Sequence, residues 1–439
     1  MIKNMKIAII GLGFVGLTFA SVLASKGFKV IGIDIDIKKS RQIADGIPPF
    51  YEDDLEKTLK IGLKKNLAIT NNFSSIIDCD VIFITVGTPQ KKDGSIELAM
   101  IKRAVTVIGK TISKTRKNPI ILVKSTVTPG TMQHVIRPIL EKQSGKKAGK
   151  DFGLISNPEF LQESSAIKDT KFPHVIVLGG YQTKFMSKMK KIFANLHPKI
   201  PIIITNHQTA EMIKYANNSF LATKISFINQ LANICQNIPG ANIDDIAKTI
   251  GLDPRIGNLF LNAGPGYGGS CLPKDMKALI NFANKVGIKP KLLDAVEEIN
   301  LKQLEQIIIM LEEKLGALRS KRITILGTAF KPNTDDIRDS VGIELIKKLL
   351  KKRATVTIYD PKSMNNTMKV FGDKIFYAKS LPSSLDSSEC LIIMTQWKQF
   401  EILNNKLIKS MKRKLIVDCR RILSKKILDA DYHAIGIGN

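Results

Sequence analysis

The apolar and polar positions at the start of the chain follow a strand–helix–strand pattern. An apolar run at residues 7–10 is followed by a glycine turn, a helical stretch to Ser25 and a second apolar run at residues 29–33, which predicts one βαβ unit. Three further apolar runs, with helix-like stretches between them, lie at residues 81–86, 120–123 and 175–178. These runs predict a parallel sheet over about the first 195 residues. The chain is therefore predicted to begin with a doubly wound α/β domain, which we assign to residues 1–200.

From about Thr209 the apolar positions change to long helical spacing, and neither Gly nor Pro occurs until Pro239. This pattern predicts a helical connector domain over residues 201–315, beginning with one long helix. Near residue 321 the first pattern returns, because KRITILGTAF resembles KIAIIGLGF, and ATVTIYD resembles the segment that ends in Asp34. A second Rossmann-like domain is predicted over residues 316–439. Its first turn lacks the third glycine of a dinucleotide fingerprint, so we expect it to bind something other than the dinucleotide.

The length and composition agree with a multidomain globular protein. A chain of 439 residues exceeds the size at which one core stops growing, and 44% of its residues are hydrophobic and 24% charged. No segment approaches the ~18 consecutive apolar residues of a membrane span, so no membrane insertion is expected. The N-terminus runs directly into a strand without the features of a secretory signal. We therefore expect a cytoplasmic protein.

The charge is strongly basic, with 67 Lys and Arg against 39 Asp and Glu and a net charge of +28. Such a field attracts anions, including nucleic acids. The lysines are nevertheless spread thinly, and aromatic residues are not interleaved with them, so nucleic acid is not expected as a partner. The five cysteines form no CxxC pair, which argues against a disulfide framework and a zinc site, and no metal is expected.

A dinucleotide site is indicated by Gly11, Gly13 and Gly16, which form G-x-G-x-x-G between a strand and a helix. The missing side chains let the backbone approach a pyrophosphate at the helix N-terminus. Asp34, at the end of the second strand, is placed to accept hydrogen bonds from ribose hydroxyls and to repel a 2′-phosphate. NAD is therefore favoured over NADP, although Lys39 is a nearby cation that would tolerate the extra phosphate. A tight turn with glycines for packing is the alternative interpretation.

One cysteine stands apart from the others. Cys271 follows a glycine-rich turn in GPGYGGSCLPKD and precedes a predicted helix start at Pro273. The helix N-terminus and the neighbouring Lys274 both favour the thiolate, which is the form that attacks carbonyls. The usual reading of a cysteine as a small buried hydrophobe fits Cys79, Cys235 and Cys390.

Six segments occur along the chain in this order: GLGFVG, KSTVTPGT, NPEFLQESSA, EMIKYANNSF, GYGGSCLPKD and GTAFKPNTDDIRDS. Their sequence, order and spacing resemble those of the UDP-glucose 6-dehydrogenase family over nearly the whole chain. The wider superfamily also contains dehydrogenases of GDP-mannose and of UDP-N-acetyl sugars. The resemblance implies an NAD-dependent enzyme that oxidises the primary alcohol of a nucleotide sugar to a carboxylate, through a thiohemiacetal and a thioester, with two NAD consumed per sugar.

The resemblance also implies residue roles. The catalytic residues would be Cys271, Lys214, Asn218, Asp275, Glu159 and Thr126. Cys271 matches the nucleophile, Lys214 and Asn218 match a pair that stabilises the oxyanion, and their i, i+4 spacing places both on one helix face. Glu159 matches the carboxylate that serves thioester hydrolysis, whereas Asp275 and Thr126 match the groups that hold the catalytic water.

Contacts with NAD and with the substrate are predicted in the same way. The predicted cofactor contacts are Gly11, Gly13, Val15, Gly16, Asp34, Lys39, Thr88, Thr126, Glu163, Lys274 and Arg338. The predicted substrate contacts are Glu159, Phe160, Leu161, Gln162, Lys214, Asn218, Arg255, Phe260, Leu261, Asn262, Ala263, Gly264, Gly268, Phe330, Lys331 and Arg420. Arg255 matches an arginine that reaches into the neighbouring subunit's site, so the resemblance implies a homodimer. Arg421 is adjacent to Arg420 and is an alternative for its role.

The substrate is predicted to be UDP-glucose. NPEFL differs from the PER-type sequence of the N-acetyl-sugar enzymes, whereas LDPRIGNLFLNAG and VDCRRIL look like the UDP-glucose branch. A GDP-mannose 6-dehydrogenase, or a UDP-N-acetyl-hexosamine dehydrogenase, is the alternative within the superfamily. An alternative of another class is a non-catalytic or nucleic-acid-associated protein that kept a dinucleotide fold. Intact Cys271, Lys214, Asn218 and Asp275 argue against that alternative.

Overall fold

The apolar runs of the N-terminal half form one eight-stranded sheet in the computed structural model, which describes residues 5–181, 183–423 and 428–438. Its strands are β1 Lys6–Ile10, β2 Lys29–Ile33, β3 Leu67–Thr70, β4 Val81–Ile84, β5 Ile120–Val123, β6 Gly153–Ser156, β7 Ile176–Gly179 and β8 Ile202–Thr205. They lie in the order β3-β2-β1-β4-β5-β6-β7-β8. Because β1 pairs in parallel with both β2 and β4, the winding of the chain reverses between β1 and β4. The carboxyl ends of these two strands flank the crevice in which such sheets bind ligands.

Helices cover both faces of this sheet. Along β1, Ile7 and Ile9 pack into one apolar cluster, whereas Ala8 and Ile10 pack into another, as expected for a parallel strand buried on two sides. The first seven helices are α1 Phe14–Ser25, α2 Ile37–Ala44, α3 Leu55–Lys65, α4 Ala99–Ile112, α5 Arg137–Ser144, α6 Ala166–Lys171 and α7 Lys184–Leu196. A 3₁₀ turn at Phe73–Ile76 and a π-helical turn at Met132–Ile136 accompany them.

The prediction of a parallel sheet over about the first 195 residues is wrong for one pair of strands, and the sheet extends slightly further along the chain. Strand β7 pairs with β6 in antiparallel fashion, through Ser156 and Gly179, and β8 lies beyond residue 195 and runs parallel to β7. The chain between β6 and β7 contains only the six-residue helix α6 and does not cross back along the sheet. Since a parallel neighbour requires such a crossover, β7 returns in the opposite direction.

The C-terminal half contains a second sheet of six parallel strands. These strands are β9 Arg322–Leu326, β10 Thr355–Tyr359, β11 Phe376–Tyr377, β12 Cys390–Ile393, β13 Leu415–Asp418 and β14 Asp431–Ala434. They lie in the order β11-β10-β9-β12-β13-β14, which repeats the order of the first six strands of the first sheet. The predicted return of the first pattern near residue 321 is therefore confirmed.

Helices surround this sheet and precede it in sequence. They are α8 His207–Cys235, α9 Ile243–Gly251, α10 Leu272–Lys285, α11 Lys291–Leu315, α12 Val341–Lys351, α13 Met364–Phe371 and α14 Leu381–Ser384, with 3₁₀ turns at Gly372–Lys374, Lys398–Ile402 and Leu407–Ser410. The long helix predicted from about Thr209 is α8. The contacts divide the chain into two units, Met1–Asn217 and Asn218–Asn439, and the residues at which they divide lie within α8.

The predicted fold class, two doubly wound α/β domains and a helical connector, is confirmed. The division into residues 1–200, 201–315 and 316–439 stays a prediction. Within the described ranges of the chain, we find no helix with the length and apolar character required to span a membrane.

Candidate active site

The glycine turn after β1 is shaped by close backbone approaches. Gly11 has a φ of +94°, which favours glycine, and the Thr85 hydroxyl donates to its carbonyl oxygen at 2.7 Å. A side chain at Gly16 would meet the Gly11 carbonyl and the Thr85 hydroxyl, whereas the space beside Gly13 is open. The turn therefore places bare backbone at the start of α1, where a pyrophosphate fits the helix N-terminus.

Asp34 lies beside this turn, at the end of β2. Its carboxylate accepts a hydrogen bond from the Leu12 backbone NH at 2.7 Å and another from the Asp36 NH at 3.0 Å. The Lys39 ammonium lies 2.5 Å from the same carboxylate. Lys39 is thus the ion-pair partner of Asp34. The two residues that affect the preference for NAD over NADP therefore form one ion pair. A carboxylate has about four acceptor sites, so capacity remains for a ribose hydroxyl.

The other predicted cofactor contacts fall into two groups. Val15 lies in the first turn of α1, Thr88 follows β4, and Thr126 follows β5. The Thr88 hydroxyl donates a hydrogen bond to the Thr126 carbonyl oxygen at 2.8 Å. These residues lie at the carboxyl ends of neighbouring strands, next to the crevice. In the second unit, Lys274 forms an ion pair with Asp275, and Arg338 forms one with Asp336 at 2.5 Å.

A buried amine and carboxylate lie at the turn that follows β6. The Lys214 ammonium, on α8, donates to the Glu159 carbonyl oxygen at 2.7 Å and to its carboxylate at 3.1 Å. The Leu161 NH donates to the other carboxylate oxygen at 2.6 Å. Burial opposes the ionisation of Glu159, but the charge of Lys214 and the Leu161 hydrogen bond outweigh it, so the pKa of Glu159 lies below its usual value. The turn therefore holds an ionised carboxylate paired with a lysine.

The rest of this turn carries the predicted substrate contacts Phe160, Leu161 and Gln162. The Lys214 ammonium lies 5.5 Å from the centroid of the Phe160 ring. The Gln162 NH donates to Asp169 at 3.0 Å, which ties the turn to α6. Glu163, the next residue, is partly buried in the same turn. The predicted contacts on this turn thus share one anchored segment of backbone.

Cys271 is exposed and is the N-cap residue of α10. Its hydroxyl-bearing neighbour Ser270 lies 3.6 Å from the thiol sulfur. Asp275, in the first turn of the same helix, is only 1% exposed and accepts a hydrogen bond from the Asn218 amide at 2.7 Å. The structure therefore brings the predicted nucleophile, amide and carboxylate to one helix N-terminus, where the helix dipole favours a negative charge.

The other four cysteines are buried. Burial raises the pKa of Cys79 to about 11 and raises the pKa values of Cys390 and Cys419. Buried thiols of this kind stay protonated at neutral pH. Their position confirms the interpretation of Cys79, Cys235 and Cys390 as small apolar side chains, and it places Cys419 with them.

The predicted substrate loop packs against the C-terminal sheet domain. Its residues Phe260, Leu261, Asn262 and Ala263 precede Gly264, whose NH donates to the Asn229 side chain at 2.7 Å. A side chain at Gly264 would lie 2.8 Å from an Arg420 guanidinium nitrogen, and one at Gly268 would meet the backbone of Asp339. Lys331 lies over the ring of Phe330, 5.7 Å from its centroid.

The two adjacent arginines near the C-terminus have different partners. The Arg421 guanidinium donates to Asp244 at 2.8 Å and to the Ile435 carbonyl oxygen at 3.2 Å, so its side chain joins α9 to the chain after β14. Arg420 donates to the Met394 carbonyl oxygen at 2.9 Å and lies against Gly264. Burial lowers the pKa of Arg420 to about 10, so its charge persists at neutral pH. Arg420, rather than Arg421, lies beside the predicted substrate loop.

Arg255 is not brought to the other predicted residues of its unit. Its side chain is 88% exposed and pairs with Asp253 at 2.6 Å. An exposed arginine held by a local carboxylate is free to meet a second chain. Its predicted role therefore depends on a partner subunit.

The second sheet also has an acidic residue at the equivalent strand end, but hydrogen bonds within the protein occupy its carboxylate. Asp360, at 1% exposure, accepts hydrogen bonds from the Thr328 and Ala329 backbone NH groups at 2.8 and 3.0 Å and from the Trp397 indole at 3.2 Å. Trp397 is itself buried over the carboxylate. These internal hydrogen bonds occupy the Asp360 carboxylate, which agrees with the expectation that the second domain binds something other than the dinucleotide.

Two residues that hold the Glu159 turn, Lys124 and Asn157, were not predicted from the sequence. Lys124, directly after β5, is buried and donates to the Asn157 side chain at 3.0 Å, and Asn157 begins the turn that carries Glu159. A lysine immediately after four fully buried strand residues, inside KSTVTPGT, was the available signal.

The first unit is a dinucleotide-binding domain, and the second unit has an exposed cysteine at a helix N-terminus. A dinucleotide-binding domain of this kind is typical of the dinucleotide-dependent dehydrogenases. Sequence profiles of the UDP-glucose/GDP-mannose dehydrogenase family match residues 5–197 as its NAD binding domain, 208–302 as its central domain and 324–425 as its UDP binding domain. The chain belongs to this family and is an NAD-dependent oxidoreductase.

Known relatives align over almost the entire chain. UDP-glucose 6-dehydrogenase AglM of Haloferax volcanii is 39% identical, over 96% of this chain and 98% of its own. UDP-glucose 6-dehydrogenase TuaD of Bacillus subtilis is also 39% identical, over 98% and 93%. The structure of a UDP-glucose dehydrogenase from Pyrobaculum islandicum superposes with a TM-score of 0.93 at 33% identity and covers 99% of this chain and 98% of its own.

Proposed function

We propose that the chain catalyses the NAD-dependent, four-electron oxidation of UDP-glucose to UDP-glucuronate. The relatives named above, two of them 39% identical over nearly their full length, support this substrate. Within the molecule, the observation that carries the proposal is the exposed Cys271 at the start of α10, next to the buried Asp275 and its partner Asn218. A thiol in this position is needed for the second oxidation, which takes an aldehyde to the level of a carboxylic acid.

Cys271 acts in this proposal after the alcohol has become an aldehyde. The thiolate adds to the carbonyl carbon and gives a thiohemiacetal, and loss of a hydride from that carbon gives a thioester. Water then displaces the thiolate and leaves the carboxylate. NAD, when bound, accepts the hydride in each oxidation, so two NAD are reduced per sugar. Gly11, Gly16 and Asp34 fit this cofactor, because their backbone and carboxylate leave room for a pyrophosphate and a ribose.

Five further residues have three tasks in the proposal. Lys214 and Asn218, one turn apart on α8, stabilise the negative charge that develops on the substrate oxygen. Glu159 is held ionised by Lys214 and serves as the base for thioester hydrolysis. Asp275, with Thr126, holds the attacking water. The substrate contacts predicted from the sequence, including Phe330 and Arg420, stay part of the proposal; a cationic side chain suits the diphosphate.

We also propose that the chain forms a homodimer. Exposed apolar side chains follow α8 at seven-residue spacing, at Phe220, Phe227 and Ile234. Such a row on one helix face exceeds the scattered apolar residues of an ordinary surface and is suited to a second copy of the same helix. The exposed Arg255 would then complete the partner's site. The cytoplasmic location stays a prediction.

Substrate oxidation tests the proposal directly. The purified protein is given NAD with UDP-glucose, GDP-mannose or UDP-N-acetylmannosamine, each alone, and NADH is measured together with the amount of sugar consumed. We expect UDP-glucose to be oxidised fastest, with two NADH formed per sugar. A preference for either other sugar would contradict the substrate. One NADH per sugar would contradict the four-electron reaction.

A further inference from the structure

Lys124 is a buried lysine to which the proposed mechanism gives no role. It follows β5 directly and is 8% exposed. Its ammonium donates to the Asn157 side-chain oxygen at 3.0 Å and lies 5.0 Å from the centroid of the Phe19 ring. The Asn157 amide in turn donates to the Val177 carbonyl oxygen at 2.8 Å. Lys124 thus joins the carboxyl end of β5 to the first residue of the Glu159 turn and, through it, to β7.

Packing alone does not fix this turn. A cavity of about 270 Å³ lies against it and is lined by Lys124, by Asn157 and Glu159 of the turn, and by His174, Thr170 and Phe193. The cavity is open to solvent and leaves one side of the turn without packing neighbours, so the turn depends more on its polar anchors. Within the described part of the chain, the Thr170 hydroxyl on the cavity wall is buried without a hydrogen-bond partner, which agrees with loose packing there.

Two buried lysines are among the polar anchors of this turn. Lys214 binds the carbonyl oxygen and the carboxylate of Glu159 itself. Lys124 binds two residues earlier, at Asn157. Burial lowers the pKa of Lys124 to about 8, against the attraction of Glu159, so the amine is mostly charged at neutral pH. A charged donor makes a hydrogen bond about twice as strong as a neutral one.

We propose that Lys124 is a positioning residue for thioester hydrolysis: through Asn157 it fixes the turn that places the Glu159 carboxylate. The inference rests on the proposed role of Glu159 as the hydrolytic base. Lys124 does not touch the reacting atoms. Asn157 begins the turn, whereas Gln162 near its other end is held separately by Asp169, so removal of Lys124 acts mainly on the position of Glu159 and slows hydrolysis more than the two hydride transfers.

The test compares Lys124→Met, of similar length but neutral, with wild type and with Glu159→Gln. After rapid mixing with UDP-glucose and NAD, we expect Lys124→Met to produce the first two NADH per subunit within about twofold of the wild-type rate. Hydrolysis should then slow by about 10–100-fold, as for other residues that orient a catalytic group. Mass spectrometry should show the sugar bound to Cys271 as a thioester, as in Glu159→Gln.

A double-mutant cycle tests whether Lys124 acts through Asn157. If it does, Lys124→Met combined with Asn157→Leu slows hydrolysis no more than the stronger single change. Lys124→Arg keeps a charged donor and should recover part of the hydrolysis rate. Lys110→Met removes one exposed lysine of α4 and controls for net charge. If Lys124→Met does not fold, as judged by its melting temperature, Lys124→Gln takes its place.

Three results would overturn the inference. Equal slowing of the NADH burst and of hydrolysis in Lys124→Met would mark a general structural role. Additive effects of Lys124→Met and Asn157→Leu would show that Lys124 does not act through Asn157. Absence of the thioester in Glu159→Gln would refute the proposed role of Glu159 itself and remove the basis of the inference. The Glu159→Gln reference thus separates failure of the inference from failure of the proposed function.

Discussion

Replacing Asp34 by alanine should remove both of its suggested effects, the attraction of NAD and the rejection of NADP. The carboxylate lies at the end of β2, bonded to the Leu12 NH and paired with Lys39 at 2.5 Å. Its removal takes away the acceptor for the ribose hydroxyls and releases the Lys39 ammonium. Affinity for NADH should therefore fall while affinity for NADPH rises. The ratio of the two dissociation constants reports both changes at once.

The size of the change follows from the two interactions. A hydrogen bond to a charged group contributes about 1.5–3 kcal/mol, so NADH binding should weaken by about 10–150-fold. Lys39 is partly exposed, and an ion pair of that kind contributes about 1 kcal/mol, so its release should strengthen NADPH binding by about fivefold. The preference for NADH over NADPH should fall by about two orders of magnitude. The buried Leu12 NH left without an acceptor lowers stability by about 1–3 kcal/mol but affects both cofactors equally.

Calorimetric titration with NADH and NADPH at one ionic strength measures the ratio. Asp34→Asn is the matched control for the fold, because its amide oxygen still accepts from Leu12. Lys39→Met in the Asp34→Ala background should abolish the gain for NADPH. A ratio that stays within about twofold of wild type in Asp34→Ala would reject Asp34 as the ribose ligand, since loss of the ribose hydrogen bond alone predicts a change of about tenfold or more.

Two further predictions concern Cys271 and Arg255. Cys271→Ser should lower net oxidation by at least about 1,000-fold, because a hydroxyl is a poor nucleophile at neutral pH, with NADH affinity unchanged in calorimetry; near wild-type turnover would refute the covalent mechanism. A mixed dimer is prepared from one Cys271→Ser chain and one Arg255→Ala chain with different tags. If a two-fold axis relates the chains, one of the two sites has both an intact cysteine and an intact arginine. The purified mixed dimer should therefore recover up to about half of wild-type activity. No activity above that of the parents, in a verified mixed dimer, would show that Arg255 acts within its own chain or not at all.

Features that depend on short stretches of sequence were predictable. The glycine turn, the acidic strand end at Asp34 and the repeat of the same pattern near residue 321 are local signals, and β1, β2 and β9 form where the apolar runs indicate. Cys271 was distinguishable from the other cysteines because glycines precede it and a helix start follows, and both features act on the thiol through its immediate backbone.

Features that depend on distant pairings were not predictable from residue types alone. Lys214 meets Glu159 across 55 residues, Asn218 meets Asp275 across 57, and Lys124 meets Asn157 across 33. Each pair forms because the sheet order or a helix path brings two segments together, and the side chains themselves would be compatible with many partners. The resemblance to a family supplied roles for Lys214, Glu159, Asn218 and Asp275 but not these pairings, which the structure shows.

The same distinction holds at the strand ends. The sequence determined that two arginines follow β13 and that apolar runs become strands, because composition and local spacing fix both. The tertiary structure decided that Arg421 joins Asp244 while Arg420 lies against Gly264, since the chain turns after β13 and Arg421 has a φ of +56°, so the two side chains leave the turn in different directions. It also decided the reversed direction of β7. The direction of a strand depends on the path of the segment that leads to it. The apolar pattern of the strand itself is the same in both directions and does not indicate the direction.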